Sequence, residues 1–242
     1  MEVIFNKDIL GNALLDYHND RYSEDIITFS SLDEQDTIPL PYLFRSYKEM
    51  PKIEQSALEL SFGKVLDIGC GAGSHSIFLQ EKGHIVIGLD SSPGAIEVCK
   101  LRGLKSTVHS KIEYYKEEQF DTLLLLMNGI GLAGRLSSLE GFLIHLMELL
   151  KPNGQILLDS SDIIYMFDQD EDGGVWVPGD KKYYGEVTFS MEYKGQRGEV
   201  FDWLYLDFNT LKECCNSLNL NCELVISGEH YDYLAKLSVK TE

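Results

Sequence analysis

The stretch Val65-Leu66-Asp67-Ile68-Gly69-Cys70-Gly71-Ala72-Gly73 constrains this chain more than any other. It joins an apolar run to a glycine-rich turn, with an acid two positions before the first glycine. Residues 64–68 read as a buried parallel strand, and residues 74–83, with apolar Ile77, Phe78 and Leu79, as the helix after it. Glycines at 69, 71 and 73 let the backbone turn sharply and approach a ligand closely, because no Cβ intervenes. The free N–H groups at the helix start then face that ligand. Asp67 adds a negative charge, which repels a pyrophosphate and suits an ammonium group. The dinucleotide fingerprint G-x-G-x-x-G would also place its third glycine at Ser74. A dinucleotide is disfavoured on both grounds.

The rest of the chain repeats the strand–helix pattern. Residues 85–89 are a second apolar run ending in Asp90, followed by Ser91-Ser92-Pro93. An acid at the end of the second strand, roughly 20 positions after a glycine loop, suits a ribose diol. Its carboxylate can accept hydrogen bonds from both hydroxyls. Pro93 opens a helix through Arg102, at the first-turn position where proline is tolerated. Further strands are expected at 106–109, 120–127 and 155–158. A helix over 136–150 carries Leu139, Phe142, Leu143, Leu146, Leu149 and Leu150 at helical spacing. Strands alternating with helices predict an α/β, doubly wound, mostly parallel sheet.

The motif D-x-G-x-G-x-G resembles the first motif of the class I S-adenosylmethionine-dependent methyltransferases. Phe120-Asp121, the run to Met127, and Asn128-Gly129-Ile130-Gly131 look like that family's fourth motif. Leu149-Leu150-Lys151-Pro152-Asn153-Gly154 looks like the turn before its fifth strand. The resemblance covers residues 64–160 and implies a Rossmann-like, seven-stranded sheet that closes with an antiparallel hairpin, here 223–227 and 233–239 after a helix at 209–218. The implied cofactor is S-adenosyl-L-methionine, with Asp67, Gly69, Gly71 and Gly73 holding its amino-acid end and Asp90 its ribose. Ser91 and Ile112 would flank the adenine, and Asn128 and Gly129 would line the floor near the methyl group. One departure is that His109-Ser110-Lys111-Ile112 lacks the acid that usually meets the adenine amino group, which leaves the Ile112 backbone for that contact. The competing readings are an NAD(P)-dependent oxidoreductase and a non-catalytic S-adenosylmethionine-binding protein.

Charge narrows the acceptor. The net charge is −18, from 21 basic and 39 acidic residues, and the first 60 residues hold 12 acids against 5 bases. A nucleic-acid binder needs a basic partner for each phosphate it contacts, and no basic cluster is present. Asn128-Gly129-Ile130 also lacks the N-P-P-[YF] pattern of exocyclic-amine nucleic-acid methyltransferases. A small-molecule acceptor is therefore expected, with no nucleic-acid partner. No apolar run approaches the roughly 20 residues that span a bilayer. Residues 1–10 carry Glu2, Lys7 and Asp8 and no signal-peptide core. The five cysteines make an odd number without a C-x-x-C pair, which suits a reducing, cytoplasmic setting. Cys70 sits near a helix start that can lower a thiol pKa, or is simply a small residue in the turn.

One domain over 1–242 is expected: an N-terminal helical cap (1–62), the cofactor core (63–160), an insertion (161–207) and the closing elements (208–242). In the cap, residues 8–18 form an amphipathic helix, 19–37 an acidic polar stretch, and 38–47 an aromatic loop stiffened by two prolines. A helix runs from Pro51 to before Gly63. In the insertion, 168–174 reads as an exposed acidic loop. Val187, Phe189, Met191 and Tyr193 then pair through a turn at 194–198 with 200–206, an apolar hairpin that lines something on one face. Methyl transfer from a sulfonium needs chiefly alignment, so no catalytic residue announces itself. Candidates are His75, His18, Asp159, Ser160, Asp162 and the group Tyr42, Phe44, Arg45 and Tyr47, each with a structural alternative. His145 and His230 read as structural, and no spacing suggests a metal site.

Overall fold

The structure, a computed structural model, describes residues 7–167, 170 and 183–240. The expected acidic loop at 168–174 lies, apart from Asp170, outside the described residues.

The chain opens with helix α1 (Ile9–His18), whose start is capped by Asp8. The stretch expected to be merely polar folds instead into strands β1 (Ile26–Ser30) and β2 (Gln35–Ile38). They pair antiparallel around a turn in which Asp33 takes φ 58°. The proline-stiffened segment holds a short helix, α2 (Leu40–Leu43), and α3 (Lys52–Leu60) follows Pro51 as expected.

The core then alternates as the sequence predicts: β3 (Lys64–Ile68), α4 (Ser74–Glu81), β4 (Ile85–Asp90), α5 (Pro93–Leu101), β5 (Thr107–His109), β6 (Phe120–Leu125), α6 (Leu136–Glu148) and β7 (Leu150–Ser161). Most ends shift by one or two residues, β6 stopping at Leu125 and α6 at Glu148, and the largest difference is in β7, expected at 155–158. The Lys151–Gly154 turn is absorbed into β7, because Phe120 pairs with Leu150 while Thr122 pairs with Gln155. The extra residues bulge out with Asn153 at φ 64°. After the insertion come β8 (Glu186–Tyr193), β9 (Gln196–Arg197), β10 (Phe201–Leu204), α7 (Phe208–Ser217), β11 (Leu220–Ser227) and β12 (Asp232–Val239).

The main sheet has seven strands in the order β11-β12-β7-β6-β3-β4-β5. β7 to β5 are parallel, and β12 and β11 close one edge antiparallel. Successive side chains of a strand point to opposite faces, and here both faces are apolar. Leu66, Ile68, Leu123 and Leu125 pack toward α6 and α7, while Val65, Leu124 and Leu157 pack toward α3 and α4. A sheet buried on both faces needs such continuous apolar runs.

The insertion and the cap are one structure. β10, β8, β1 and β2 form a second antiparallel sheet, with β9 paired to β8. The cap is thus part strand, not only helical. Asp8 fixes it to the core: its carboxylate accepts the Gly11 N–H of α1 (2.9 Å), the Ser92 hydroxyl (2.8 Å) and the Gly94 N–H of α5 (2.9 Å). One charge thereby serves two helix N-termini, where negative charge is favoured.

Candidate functional site

In an open α/β sheet, ligands bind beyond the carboxyl ends of the strands, where the strand order reverses. Here that point lies between β3 and β6. A cavity of about 690 Å³ bordered by Pro152, Asn153 and Val239 lies at the opposite edge. Chain direction, not size, selects the site.

The loop after β3 leaves room for a ligand. Gly71 has φ +51°, and a Cβ built there would meet nothing within 4 Å. Gly73 is needed for a different reason: at φ +82° it caps α4, and its Cβ would lie 2.8 Å from Cys99 Sγ. Asp67 is 1% exposed and accepts the Ser76 hydroxyl at 2.6 Å. Burial raises its pKa against the pull of His75 and Ser76. At the end of β4, the buried Asp90 carboxylate accepts the Ser92 N–H (2.8 Å) and the Gly71 N–H (2.9 Å). Burial raises this group too, with Asp8 and Asp67 adding to it. Each Asp90 oxygen keeps a further lone pair. Ser91 is exposed beside it, and its carbonyl meets His109 Nε2 at 3.0 Å. Ile112 is buried, with its carbonyl bound to His145 Nε2 at 2.8 Å.

The loop after β6 is strained. Met127 (φ 66°) and Asn128 (φ 58°) are consecutive left-handed residues, a conformation that costs on the order of 1–3 kcal/mol each unless surroundings enforce it. Asp159 enforces it by accepting the Met127 N–H (3.0 Å) and the Gly129 N–H (2.9 Å). Asn128 donates to the Leu204 carbonyl and accepts the Ser160 hydroxyl, both at 3.1 Å. Burial lifts Asp159 from 3.8 to about 7, outweighing its two N–H donors.

Above the loops sits a buried polar triad. Both Arg45 contacts to Glu54 are 2.5 Å, and His75 Nε2 meets Glu54 at 2.7 Å. Burial works to raise Glu54, but His75 and Arg45 together hold it below the usual range. Arg45 also donates to the Tyr42 carbonyl and stacks on the Tyr42 ring, while its buried Nε has no partner among the described residues. Beside this, a cleft of about 410 Å³ separates the second sheet from the main sheet. Phe189, Phe201, Trp203 and Tyr205 form its wall, and Met127 and Asn128 its floor.

A model of the methyltransferase domain matches residues 65–154. An S-adenosylmethionine-dependent methyltransferase of Bacteroides fragilis, solved in complex with S-adenosyl-L-homocysteine, is 41% identical, with a TM-score of 0.91 over 100% of this chain and 98% of that one. The chain belongs to the class I S-adenosylmethionine-dependent methyltransferases. The mitochondrial ubiquinone biosynthesis O-methyltransferase of Schizosaccharomyces pombe is 33% identical over 102 residues, which are 40% of this methyltransferase and 37% of the relative. The chain thus spans about a third of that curated relative's length. The CcbJ methyltransferase of Streptomyces caelestis, 12% identical with a TM-score of 0.62 over 81% of this chain and 99% of that one, shares the fold.

The methyltransferase brings its sequence-predicted cofactor residues to one edge: Asp67 and the glycines after β3, Asp90 and Ser91 after β4, Ile112 after β5, and Asn128 and Gly129 after β6. The open space at Gly71, the spare lone pairs of Asp90 and the surrounding buried carboxylates fit a ligand bearing a diol and positive charge. Of the histidines, His75 joins the triad and His145 holds Ile112, while His18 ends α1 half-buried and His230 is exposed. Asp162 accepts the Ile164 N–H and the Tyr184 hydroxyl, both on Oδ1. Cys70 is not activated: its bond to Cys99, 3.7 Å between sulfurs, and burial push the thiol well up. Among the described residues no group of three His, Cys, Asp or Glu could hold a metal, and no helix is long and apolar enough to cross a membrane.

Sequence reasoning missed Glu54, Asp8 and Ser76. Glu54 carried a signal, since it precedes Ala57 and Leu58 by three and four positions and so lies on the buried face of α3.

Proposed function

We propose that this methyltransferase transfers the methyl group of S-adenosylmethionine to a small-molecule acceptor held in the cleft between its two sheets. The observation that carries the reading is the open space at Gly71, ringed by the buried carboxylates of Asp67 and Asp90 and adjoining the strained Met127–Gly129 floor. When bound, the cofactor supplies an electrophilic methyl carbon on a sulfonium that is already a good leaving group.

Gly69 and Gly71 admit the amino-acid end, Gly73 turns the loop into α4 beneath it, and Asp67 supplies a negative field for its ammonium from beneath the loop. Arg45, whose buried Nε has no partner among the described residues, would hold the carboxylate. Asp90 takes the ribose hydroxyls, and Ser91 and the Ile112 backbone flank the adenine. Asn128 and Gly129 set the floor, held there by Asp159. With the acceptor in the cleft, these residues would hold its lone pair in line with that methyl carbon, so that the carbon–sulfur electron pair could stay with sulfur and any proton of the acceptor could pass to bulk water on release. The chain's own contribution is alignment and water exclusion.

The net charge of −18 supports a small molecule over a nucleic acid, and so does the S. pombe relative's role in ubiquinone biosynthesis. The free thiols support a reducing, cytoplasmic setting. The test is release of S-adenosylhomocysteine over panels of small molecules and of RNA. Turnover confined to small molecules is expected. Turnover of RNA, or micromolar RNA binding with a steep salt dependence, would overturn the reading.

A further inference from the structure

The wall of the cleft combines aromatic faces with unpaired negative charge. Phe201 and Trp203 meet edge to face at 6.0 Å, and Phe189 lies 6.3 Å from both Phe201 and Tyr205. Trp203 is fixed in place, since its indole lies so close over Gly131 that a Cβ there would fall 2.1 Å from the ring. The wall is therefore a continuous, preset aromatic surface. At its rim Glu34 and Asp36 project from the edge of the second sheet, both exposed. Among the described residues neither has a lysine, arginine or histidine partner. No lysine, arginine or histidine is among the described residues lining the cleft.

Aromatic faces attract cations through their quadrupoles, and carboxylates add a charge-assisted partner. An anion would meet two like charges and no counterion. We infer that the acceptor is a cationic amine with an aromatic or other apolar body, the body lying along Phe189, Phe201 and Trp203 and the ammonium facing Glu34 and Asp36. This rests on the cleft being the acceptor site, as proposed above. The field of Asp36 already reaches Tyr205, whose hydroxyl is pushed up to about 12 by burial first, then by Tyr165 and Asp36.

A matched set of probes separates charge from shape: 1-naphthylmethylamine, 1-naphthylmethanol and 1-naphthoate share one ring system. Binding to the protein loaded with S-adenosylhomocysteine is measured by calorimetry at two salt concentrations. The amine is expected to bind at least tenfold more tightly than the carboxylate, with the alcohol between them. That advantage should shrink with salt and fall severalfold in the Glu34→Gln, Asp36→Asn double variant. Equal or tighter binding of the carboxylate, an amine preference unchanged in the double variant, or no measurable amine binding overturns the inference. Binding of S-adenosylhomocysteine itself, titrated first in the same samples, shows separately whether the methyltransferase site stands.

Discussion

Replacing Glu54 with alanine tests how the cap is held over the cofactor loop. Glu54 and Arg45 are 4% and 5% exposed, and both Glu54 oxygens accept from Arg45. Without the carboxylate, the Arg45 cation stays buried with only the Tyr42 carbonyl and ring as partners. Breaking one side of such a pair costs about 3–5 kcal/mol. For a chain of this size each kcal/mol shifts Tm by about 2–4 °C, so a fall of roughly 6–20 °C is expected. Differential scanning fluorimetry and urea unfolding would measure it. Removing both charges, as Arg45→Met with Glu54→Leu, leaves neither member of the pair as a lone charge, only the His75 ring without its Glu54 contact, and should cost clearly less than the two single changes together. The stabilisation also depends on pH. Because Glu54 is held below its ordinary value, its contribution is complete above the unfolded pKa of about 4.5 and is lost as pH falls through the folded value. A Glu54→Ala shift under about 2 °C, or strict additivity in the double variant, would refute the reasoning.

Asp90→Ala should weaken S-adenosylhomocysteine binding more than tenfold, the effect of losing about 1.5–3 kcal/mol of hydrogen bonding to a charged group. Calorimetry on the folded variant decides this, and an unchanged Kd removes Asp90 from the ribose site. Asp159 makes a different pH signature. Its folded value of about 7 lies above the unfolded 3.8, so the native state keeps a proton that the unfolded chain releases, and stability falls as pH rises from about 4 to 7. Asp159→Asn should remove that fall, worth up to about 4 kcal/mol. Parallel stability profiles for the two proteins between pH 5 and 8 would contradict it.

Much of the core was legible because a parallel sheet announces itself twice. The apolar runs at 64–68, 85–89 and 120–127 satisfy both faces, and each is followed by the polar or glycine residues that the ligand edge requires. Asp90 could be placed from its distance to the glycine loop alone. The second sheet was harder. β1 offered a signal in Ile26-Ile27-Thr28-Phe29, whose side chains suit a strand. β2, with Gln35, Asp36 and Thr37 exposed, had none, because an edge strand facing solvent needs no apolar alternation. The pairing of β1 with β8, whose partners lie 159 (Ser30 and Phe189) to 165 (Ile27 and Glu192) positions apart, depends on tertiary contacts that no local pattern encodes. The same holds for Asp8 and for the Arg45–Glu54–His75 triad, whose members come from three separate segments. The bulge at Lys151–Gly154 read as a turn because lysine, proline, asparagine and glycine suit either.

The most direct test is a calorimetric titration of the purified protein with S-adenosylhomocysteine, beside Gly71→Val and with the nicotinamide dinucleotides as controls. At 100 times its Kd, a ligand specific to the folded state adds about 2.7 kcal/mol of stability, so a matching rise in Tm should accompany binding. Valine at 71 would place its side chain in the open space at the loop and at a φ of +51°, and binding should be lost while the protein stays folded. The dinucleotides should not bind. Undiminished binding to Gly71→Val, or binding of the dinucleotides in place of S-adenosylhomocysteine, would contradict the assignment of the glycine loop as the cofactor site.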